Sequence, residues 1–335
     1  MREVPSDAVK GACGDGRRTV ADLGERELLR RIADIVSSVN AAGAPNAGRP
    51  RPGTIVGIGD DAAVIDGSGQ IVIATDALVD GGHFRLDWCS PQQVGRRAVI
   101  ANAADVAAMG GRTTSCVAAI AAPPQTPASV VLGLVEGMAV QCAQLGAELV
   151  GGDLVAAAQL VVTVTAVGRA SGAPVRLSGA ALGDRIAVSG PVGSAAAGLA
   201  VLQRGIGGFD DLIDCYRVPP TDLAAGPAAA PYATAMTDVS DGVVADAGTL
   251  AAASRVRIRL QPSQIPMHDS LLRAAATLDC QPNQWLLGAT DDHVLLASFA
   301  TAMPTGWTVI GEVVGGDPGV EVCGVPDPPL GWHSF

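Results

Sequence analysis

Seven aspartates lie beside small residues where helices or strands are expected to end, and their carboxylates are the groups in this sequence best suited to chemistry. They occur in five short segments: Asp60 and Asp61 in 57–63, Asp76 in 74–78, Asp105 in 102–111, Asp153 in 150–154, and Asp238 and Asp241 in 237–242. Magnesium prefers oxygen ligands, and one ion usually joins one or two carboxylates to the phosphates of a nucleotide. Aspartates arriving from several segments therefore indicate several magnesium ions around one triphosphate.

Asp105 is the least expected of these residues. It lies in the small, mostly apolar segment 98–109, which is predicted to be helical with a buried face. A lone buried carboxylate is costly unless it is paired or bound to a metal, and few basic residues lie nearby in sequence. The alternative for any single aspartate is structural, because aspartate next to glycine is common in turns and helix caps. That alternative is weaker for all five segments taken together.

Charge and composition exclude two classes of phosphate-binding protein. The net charge of −11 argues against nucleic acid, whose backbone is bound by a basic stripe. The only lysine, Lys10, is outside any glycine-rich turn, so the chain has no P-loop. Residues 57–62 match the dinucleotide pattern G-x-G-x-x-A. However, Asp60 and Asp61 would lie where the pyrophosphate binds, so charge repulsion disfavours that interpretation unless a metal ion intervenes.

The cysteines and the apolar segments of the sequence indicate the cellular compartment of the protein. Seven widely spaced cysteines with no C-x-x-C pair are typical of reduced thiols. Residues 1–18 lack the apolar region of a signal peptide, and no run of about 18 apolar residues is present. We therefore expect a soluble, cytoplasmic protein.

The pattern of elements predicts two domains of mixed α and β structure after a flexible leader, residues 1–21. In 22–168, helices are predicted near 23–39, 90–109 and 126–146, with Ser90 and Thr126 as N-caps before proline, and strands near 54–58, 70–75, 113–121 and 160–167. In 169–335, strands near 185–189, 255–260, 293–299 and 307–312 alternate with helices near 195–204, 242–253 and 269–278. This alternation is typical of an α/β layer.

An ordered set of seven motifs resembles the thiamine-monophosphate kinase family, and its actinobacterial members in particular. The motifs are Leu23–Glu25, Gly57–Ala63, Thr75–Phe84, Asn102–Gly110, Gly151–Asp153, Thr237–Gly242 and Gly331–Phe335. The family belongs to the superfamily of aminoimidazole-ribonucleotide synthetase and selenophosphate synthetase. The resemblance implies a homodimer whose N-terminal sheets join into a shared barrel, each followed by an α/β domain. It also implies transfer of the ATP γ-phosphate to thiamine monophosphate, which gives thiamine diphosphate.

The resemblance assigns roles by motif position. No general base is implied, and Asp76, Asp105 and Asp153 are expected to be the most critical side chains. The implied metal ligands are Asp60, Asp61, Thr75, Asp76, Asp105, Asp153, Asp238 and Asp241. The implied ATP-binding residues are Gly152, Asp153, Arg176 and Ser240, and the implied substrate-binding residues are His83, Asp291 and Trp332.

The chain departs from the family pattern on the substrate side. Residues Ala289–Asp292 stand where the family has Gly-Gly-Glu-Asp, and Leu177 separates Arg176 from the Ser-Gly that would follow it. The serine before Thr75 is replaced by Ala74. Two alternatives therefore remain: a sibling ATP-dependent enzyme with another phosphorylated or heterocyclic substrate, and a non-catalytic nucleotide-binding paralogue. The intact aspartates argue against the second.

Overall fold

The computed structural model describes residues 18–23, 25–42, 54–56, 64–65, 69–288, 290–329 and 331, which fall into two compact units. Residues 1–103 and 113–169 belong to the first unit, and residues 104–112 and 170–335 to the second. The segment 104–112 joins the second unit through its own contacts. The N–H of Val175 donates to the carbonyl of Met109 (3.1 Å), and a Cβ on Gly226 would lie 2.1 Å from the carbonyl oxygen of Ala107.

The first unit consists mainly of a four-stranded sheet and helices. Its elements are α1 (Val20–Leu23), α2 (Glu25–Ala42), β1 (Thr54–Val56), β2 (Val64–Ile65), β3 (Gln70–Val79), α3 (Pro91–Ala108), β4 (Gly111–Ala122), α4 (Ala128–Leu145), β5 (Glu148–Ala156) and β6 (Val161–Ala170). Within the described residues, the strand order is β3-β6-β4-β5, and β4 and β5 are parallel. The strands β1 and β2 form a separate antiparallel pair.

The start of α3 confirms the predicted cap, whereas the start of α4 does not. At α3, the N–H of Gln93 donates to Oγ of Ser90 (3.2 Å), and the N–H of Ser90 donates to Oε1 of Gln93 (2.9 Å). This reciprocal pair is a capping box. At α4 the N-cap is Pro127 rather than Thr126. The carbonyl of Thr126 instead accepts the N–H of Val20 (2.8 Å).

The same contact corrects the extent of the predicted leader. The N–H of Ala21 donates to the carbonyl of Pro124 (3.1 Å), and the N–H of Ala128 donates to the carbonyl of Arg18 (2.8 Å). Residues 18–21 are therefore hydrogen bonded to the loop before α4 rather than part of a free leader. Residues 1–17 lie outside the described part of the chain.

Glycines allow α3 and α4 to pack with their backbones in contact. A Cβ on Gly95 would lie 2.1 Å from the carbonyl oxygen of Leu134, and one on Gly137 would lie 2.0 Å from that of Gln92. In the part of the chain that the structure describes, α4 is the one helix long and apolar enough to cross a membrane. However, 61% of it is buried inside the protein, as in the core helix of a soluble domain.

The second unit surrounds a six-stranded sheet. Its elements are β7 (Arg185–Val188), α5 (Ser194–Arg204), α6 (Asp210–Arg217), α7 (Ala225–Ala229), β8 (Ala233–Val239), α8 (Val243–Ser254), β9 (Arg257–Leu260), a 3-10 helix (Pro262–Gln264), α9 (Asp269–Thr277), α10 (Asn283–Leu287), β10 (Val294–Phe299), β11 (Thr308–Val314) and β12 (Gly319–Val322). Within the described residues the strand order is β12-β9-β11-β7-β10-β8.

The mixed α and β composition of the second unit is as expected, but its sheet is not a parallel α/β layer. Among the described strands, β9 and β12 are parallel, and the other four pairs are antiparallel. All six residues of β10 are buried, as expected for a strand inside the sheet with both faces covered. The core of the unit includes Ile186, Leu250 and Ile258, each with no exposed surface.

The segment Arg176–Gly179 lies along the outer edge of β8. The N–H of Met236 donates to the carbonyl of Arg176 (3.0 Å). Gly179 has a φ of 139°, and a Cβ there would lie 2.2 Å from the carbonyl oxygen of Thr234. The edge of β8 is therefore covered by a segment that requires glycine at its point of closest approach.

Gly152 in β5 is required by a similarly close approach, and we expect Gly152→Ala to destabilise the protein by about 2–3 kcal/mol. The added methyl group would lie 2.0 Å from the carbonyl oxygen of Ala118 on β4. Gly151→Ala is the matched control, since its methyl group would meet Cγ1 of Val117 at 3.7 Å, an ordinary contact. Urea unfolding measures both variants. Equal stability would contradict the observed pairing of β4 with β5.

Candidate active site

In the first unit, the predicted ligands lie on the two edge strands of the sheet. Thr75 and Asp76 are on β3, Asp153 is on β5, and β6 and β4 lie between them. All three residues are exposed. The hydroxyl of Thr75 is within 3.1 Å of the carbonyl of Val164 and 3.0 Å of the hydroxyl of Thr165, so the neighbouring strand fixes its direction. The sheet thus presents carboxylates at both of its edges.

Asp153 and His83 each form a hydrogen bond with nearby backbone. Oδ1 of Asp153 accepts the N–H of Leu154 (2.9 Å). The exposed His83 lies in the turn after β3, where its Nδ1 accepts the N–H of Val79 (3.1 Å). Because Nδ1 is an acceptor there, the neutral imidazole carries its proton on Nε2. His83 can therefore offer a donor outside its own turn.

Asp105 lies near the end of α3, in the segment that belongs to the second unit. Its neighbours Ala104 and Val106 have no exposed surface, whereas Asp105 is half-buried. The expectation of a buried helix is confirmed, but the carboxylate itself keeps some access to solvent. Successive helical residues are about 100° apart, so one narrow face can stay open between buried neighbours.

Asp238, Ser240 and Asp241 lie where β8 ends and α8 begins. Asp238 is the last residue but one of β8 and is 8% exposed, whereas Asp241 is exposed. Gly242, with a φ of 123°, is the N-cap of α8. Only glycine readily adopts this conformation. The chain therefore turns sharply from the strand into the helix and carries Asp241 outward at the turn.

Asp246 holds this turn in place and is a site residue that the motifs do not include. Its Oδ2 accepts the N–H groups of Ser240 (3.1 Å) and Gly242 (3.0 Å). Burial raises the pKa of Asp246 to about 7, and the charges of Asp238 and Asp241 act in the same direction. The only signal in the sequence is an acidic residue in the first turn of a helix, which is too common to single it out.

His293 is a second site residue that no local sequence pattern marks. It is 5% exposed and lies directly before β10. Its Nδ1 is 3.1 Å from Oδ2 of Asp238, and its Nε2 is 2.9 Å from Oδ1 of Asp291. The imidazole therefore connects a predicted metal ligand with a predicted substrate residue.

Asp292, which lies between Asp291 and His293 in sequence, has a structural role at the N-terminus of α5. Its carboxylate accepts the N–H of Gly193 (2.5 Å) and the N–H of Ala195 (2.8 Å). Burial raises the pKa of Asp292 to about 6, and the two N–H donors act in the opposite direction. Asp292 therefore ties the loop before β10 to a helix of the same unit.

The remaining predicted site residues are partly described. The backbone of Arg176 pairs with β8 at Met236, two residues before Asp238, and its side chain is exposed. Gly331 packs against the turn after β8, since a Cβ there would lie 2.6 Å from the carbonyl oxygen of Asp241. Trp332, Asp60 and Asp61 lie outside the described residues.

The described side chains include no group of three or more His, Cys, Asp or Glu residues arranged to hold a metal ion. Each predicted ligand in the described ranges offers one or two hard oxygen atoms. That number fits magnesium, which usually takes one or two protein carboxylates and completes its shell with phosphate and water. The donor set therefore fits ions that arrive with a nucleotide.

Comparison with known proteins gives the same family as the motifs. Residues 59–170 match the family described as AIR synthase related protein, N-terminal domain. The chain is 45% identical to the thiamine-monophosphate kinase of Mycobacterium tuberculosis over 323 residues, which cover 95% of this chain and 93% of that protein. It is 38% identical to the thiamine-monophosphate kinase of Corynebacterium glutamicum, with 88% and 87% covered. This chain belongs to the thiamine-monophosphate kinase family.

The fold supports the same assignment. A solved structure described as AaThiL complexed with AMPPCP and TMP superposes with a TM-score of 0.75 at 27% identity, covering 96% of this chain and all of that one. The described architecture is thus that of a thiamine-monophosphate kinase, with an N-terminal domain of the AIR synthase type followed by a mixed α and β domain.

The segment 290–293 of this thiamine-monophosphate kinase contains two residues with a left-handed backbone. Asp291 has a φ of 57° and His293 a φ of 54°, both in the left-handed region. Aspartate and histidine are among the non-glycine residues that tolerate this region. The special backbone positions are therefore at Asp291 and His293 rather than at Thr290, where the family pattern has glycine.

The raised pKa of Asp292 predicts how stability depends on pH. A carboxyl with a raised folded pKa contributes stability below its unfolded value of about 3.8 and loses that contribution as the pH rises through about 6. Between pH 4 and pH 7 we expect the wild type to lose about 2–3 kcal/mol relative to Asp292→Asn. Urea unfolding of both proteins across this range measures the difference. A difference that does not change with pH would refute the prediction.

Proposed function

We propose that this chain phosphorylates thiamine monophosphate to thiamine diphosphate with ATP as the donor. The observation that carries this proposal is 45% identity to a thiamine-monophosphate kinase across nearly the whole of both chains. A relative complexed with AMPPCP, an ATP analogue, and TMP supports it, because that structure shares the fold over its full length. The alternative substrates that the sequence left open have no comparable support.

The turn between β8 and α8 is the part of the second unit that we assign to the nucleotide. Gly242 permits a sharp turn, Asp246 binds two of its N–H groups, and Asp241 is carried outward. Ser240 lies within the turn, and Arg176 lies beside the strand that leads into it. In the first unit we assign Asp153 and Gly152 to nucleotide binding, since Gly152 fixes the position of Asp153 through its contact with β4.

We propose that the aspartates singled out by the motifs are magnesium ligands. The described candidates are Thr75, Asp76, Asp105, Asp153, Asp238 and Asp241, and Asp60 and Asp61 complete the set. When bound, magnesium neutralises phosphate charge and so allows two anionic groups to approach each other. The chain itself supplies hard oxygen atoms within β3 and β5, at the end of β8 and on one helix. The pairing of β3 with β6 and of β8 with β10 holds the strands in place.

The reaction requires positioning rather than a general base. The nucleophile is an oxygen of the acceptor phosphate, which is already ionised at neutral pH. It forms a bond to the γ-phosphorus of ATP while the bond from that phosphorus to the β–γ bridging oxygen breaks, and ADP leaves. In-line placement and electrostatic stabilisation supply the acceleration. A chain with one lysine and many aspartates is suited to this chemistry.

We assign the acceptor side to His83, Asp291 and Trp332. The side chain of Asp291 is 39% exposed, so it can reach a ligand although its neighbours are buried. His83 can donate from Nε2, since its Nδ1 is engaged by the backbone of Val79. Trp332 directly follows Gly331, which packs at the carbonyl of Asp241.

We also propose that the protein works as a cytoplasmic homodimer formed through the first unit. Ile71 and Ile73 lie on the same face of β3 and are 49% and 66% exposed. Val155, on the opposite edge strand β5, is 47% exposed. Large apolar side chains on both edge strands favour burial against another surface. A second copy whose sheet pairs with this one into a barrel, as the family resemblance implies, would bury them.

The function is tested by coupled ADP release with thiamine monophosphate, ATP and Mg²⁺, using the wild type and Asp105→Asn. We expect turnover by the wild type and at least a ~10²-fold lower kcat in the variant, by analogy with the loss of one preorganised electrostatic contact. Asparagine has nearly the same volume as aspartate, so the helix should keep its packing. Circular dichroism and the melting temperature check that it does.

Two outcomes would contradict these assignments. If the wild type binds Mg-ATP but does not turn over thiamine monophosphate, the proposed acceptor is wrong. If Asp105→Asn keeps near-wild-type kcat, then Asp105 is not a metal ligand, whatever the acceptor.

The dimer is tested by placing a charge on the exposed face of β3. We expect Ile73→Lys to convert the dimer to a monomer, because a lysine in a closed apolar interface would be buried without a partner. Leu182→Lys is the matched control, since Leu182 is 73% exposed in the second unit. Size-exclusion chromatography with light scattering gives the mass of each. Dimers in both variants would exclude this face as the interface.

A further inference from the structure

The contact between Asp238, His293 and Asp291 connects residues that are far apart in sequence. Asp238 and His293 are 55 positions apart, and they meet because β8 and β10 are antiparallel neighbours. Leu295 pairs with Asp238 and Val294 with Val239, so His293 lies just beyond the paired strands at the same end of the sheet. The N–H of His293 extends the ladder by donating to the carbonyl of Val239 (2.9 Å).

The imidazole is the most buried of the three side chains. The exposed fractions of the side chains are 12% for Asp238, 6% for His293 and 39% for Asp291. The imidazole is therefore enclosed, and only the outer carboxylate reaches solvent to a large extent. A displacement of the imidazole would move both carboxylates, since each is bonded to one of its nitrogens.

The ring has one orientation that satisfies both bonds. Rotating the imidazole by 180° about its bond to Cβ would place carbon atoms where Nδ1 and Nε2 now face carboxylate oxygens. Both nitrogens can donate to carboxylates at the same time only when the ring carries two protons, and hydrogen bonds that involve a charged group are worth more than neutral ones. The pair of carboxylates thus fixes the ring, and the ring in turn fixes the distance between them.

The backbone around His293 is strained, and several bonds hold it. Asp291 and His293 are both left-handed, a conformation that persists in non-glycine residues only where the surroundings enforce it. The N–H of Asp291 donates to the carbonyl of Ser240 (3.1 Å), and the hydroxyl of Thr221 donates to the carbonyl of His293 (2.9 Å). Strain of this kind concentrates at functional sites, which favours a role beyond packing.

We infer that His293 is a positioning residue that couples the acceptor side to the metal side: its Nε2 orients Asp291 toward thiamine monophosphate while its Nδ1 holds Asp238. The inference rests on the proposed function, since the roles of Asp291 and Asp238 come from it. In this role His293 contacts neither substrate and acts through Asp291 and Asp238.

Two substitutions separate the two bonds of the ring. The amide nitrogen of asparagine lies close to the position of Nδ1, and that of glutamine close to the position of Nε2. His293→Asn therefore keeps the donor to Asp238 and loses the bond to Asp291, whereas His293→Gln does the reverse. Asparagine also tolerates a left-handed backbone. We expect His293→Asn to raise the KM for thiamine monophosphate about tenfold and to leave the KM for Mg-ATP within about twofold.

His293→Gln is expected to give the opposite split, with the KM for Mg-ATP raised about tenfold. Thr221→Val is the matched control, because it removes the bond to the backbone of His293 and leaves both ring bonds in place. It should lower the melting temperature without separating the two KM values. If His293→Asn and Thr221→Val change both KM values in the same proportion, His293 has only a structural role and the inference is overturned.

A double-mutant cycle covers the case in which the glutamine variant does not fold. If His293 acts through Asp291, His293→Asn should have no further effect on the KM for thiamine monophosphate in an Asp291→Ala background. Additive effects in the double variant would overturn the inference. The wild type is assayed in parallel. If it does not turn over thiamine monophosphate, the proposed function fails. The coupling is then tested by the affinity for Mg-ATP, which His293→Gln should weaken and His293→Asn should leave unchanged. Equal Mg-ATP affinities in the two variants would overturn the coupling in that case.

Discussion

The antiparallel pairing of β8 with β10 is the constraint on which the site in the second unit depends. It places the exit of one strand, with Asp238 and Asp241, beside the entry of the other, with Asp291 and His293. In a parallel pair, the exit of one strand and the entry of the other would lie at opposite ends of the strands. The antiparallel arrangement is therefore what allows the turn before α8 and the loop before β10 to exchange hydrogen bonds and to be positioned as one structure.

The buried carboxylates of this unit are compensated by N–H and hydroxyl groups or by one imidazole, not by lysine. Asp246 and Asp292 each accept two backbone N–H groups, and Asp184 accepts the hydroxyls of Thr234 (2.6 Å) and Ser298 (2.7 Å). Neutral donors satisfy a carboxylate without cancelling its charge. These N–H and hydroxyl donors therefore add no positive charge to the surroundings of the exposed Asp241 at the turn, which suits the binding of a cation and disfavours a bare anion. Such a site favours a nucleotide that carries its own magnesium.

The sequence predicts the start of α3 and the end of α4 better than it predicts β5 and β8, for local reasons. The start of α3 is encoded by Ser90 and Gln93, three residues apart, and the end of α4 by Gly146, which has a φ of 72° and binds the carbonyl of Ala143. By contrast, β5 contains Gly151 and Gly152, and β8 contains two alanines and Asp238, all residue types that are depleted in strands. Both form because neighbouring strands supply their partners, which is information from distant parts of the chain.

The same distinction applies to the site residues. The aspartates could be found because small residues surround them in short recurring motifs, although Asp76 and Asp153 lie inside strands and not at turns. His293 and Asp246 are not marked in this way, because their roles depend on where other segments lie. Asp292 shows this most clearly: its partners Gly193 and Ala195 are 99 and 97 positions away. No local pattern distinguishes it from its neighbour Asp291, although one side chain caps a helix and the other reaches solvent. Adjacent identical residues thus acquire different roles from tertiary contacts alone.

How the loop before β10 is held also bears on the departure from the family pattern. Glycine can adopt an unusual backbone conformation because it has no side chain. Here Asp291 and His293 adopt left-handed conformations and are held by bonds to each other, to Ser240 and to Thr221. A loop fixed by side-chain bonds tolerates change at unbonded positions and not at bonded ones. Residues 291–293 should therefore constrain the acceptor side of this enzyme more than the positions where the family has glycine.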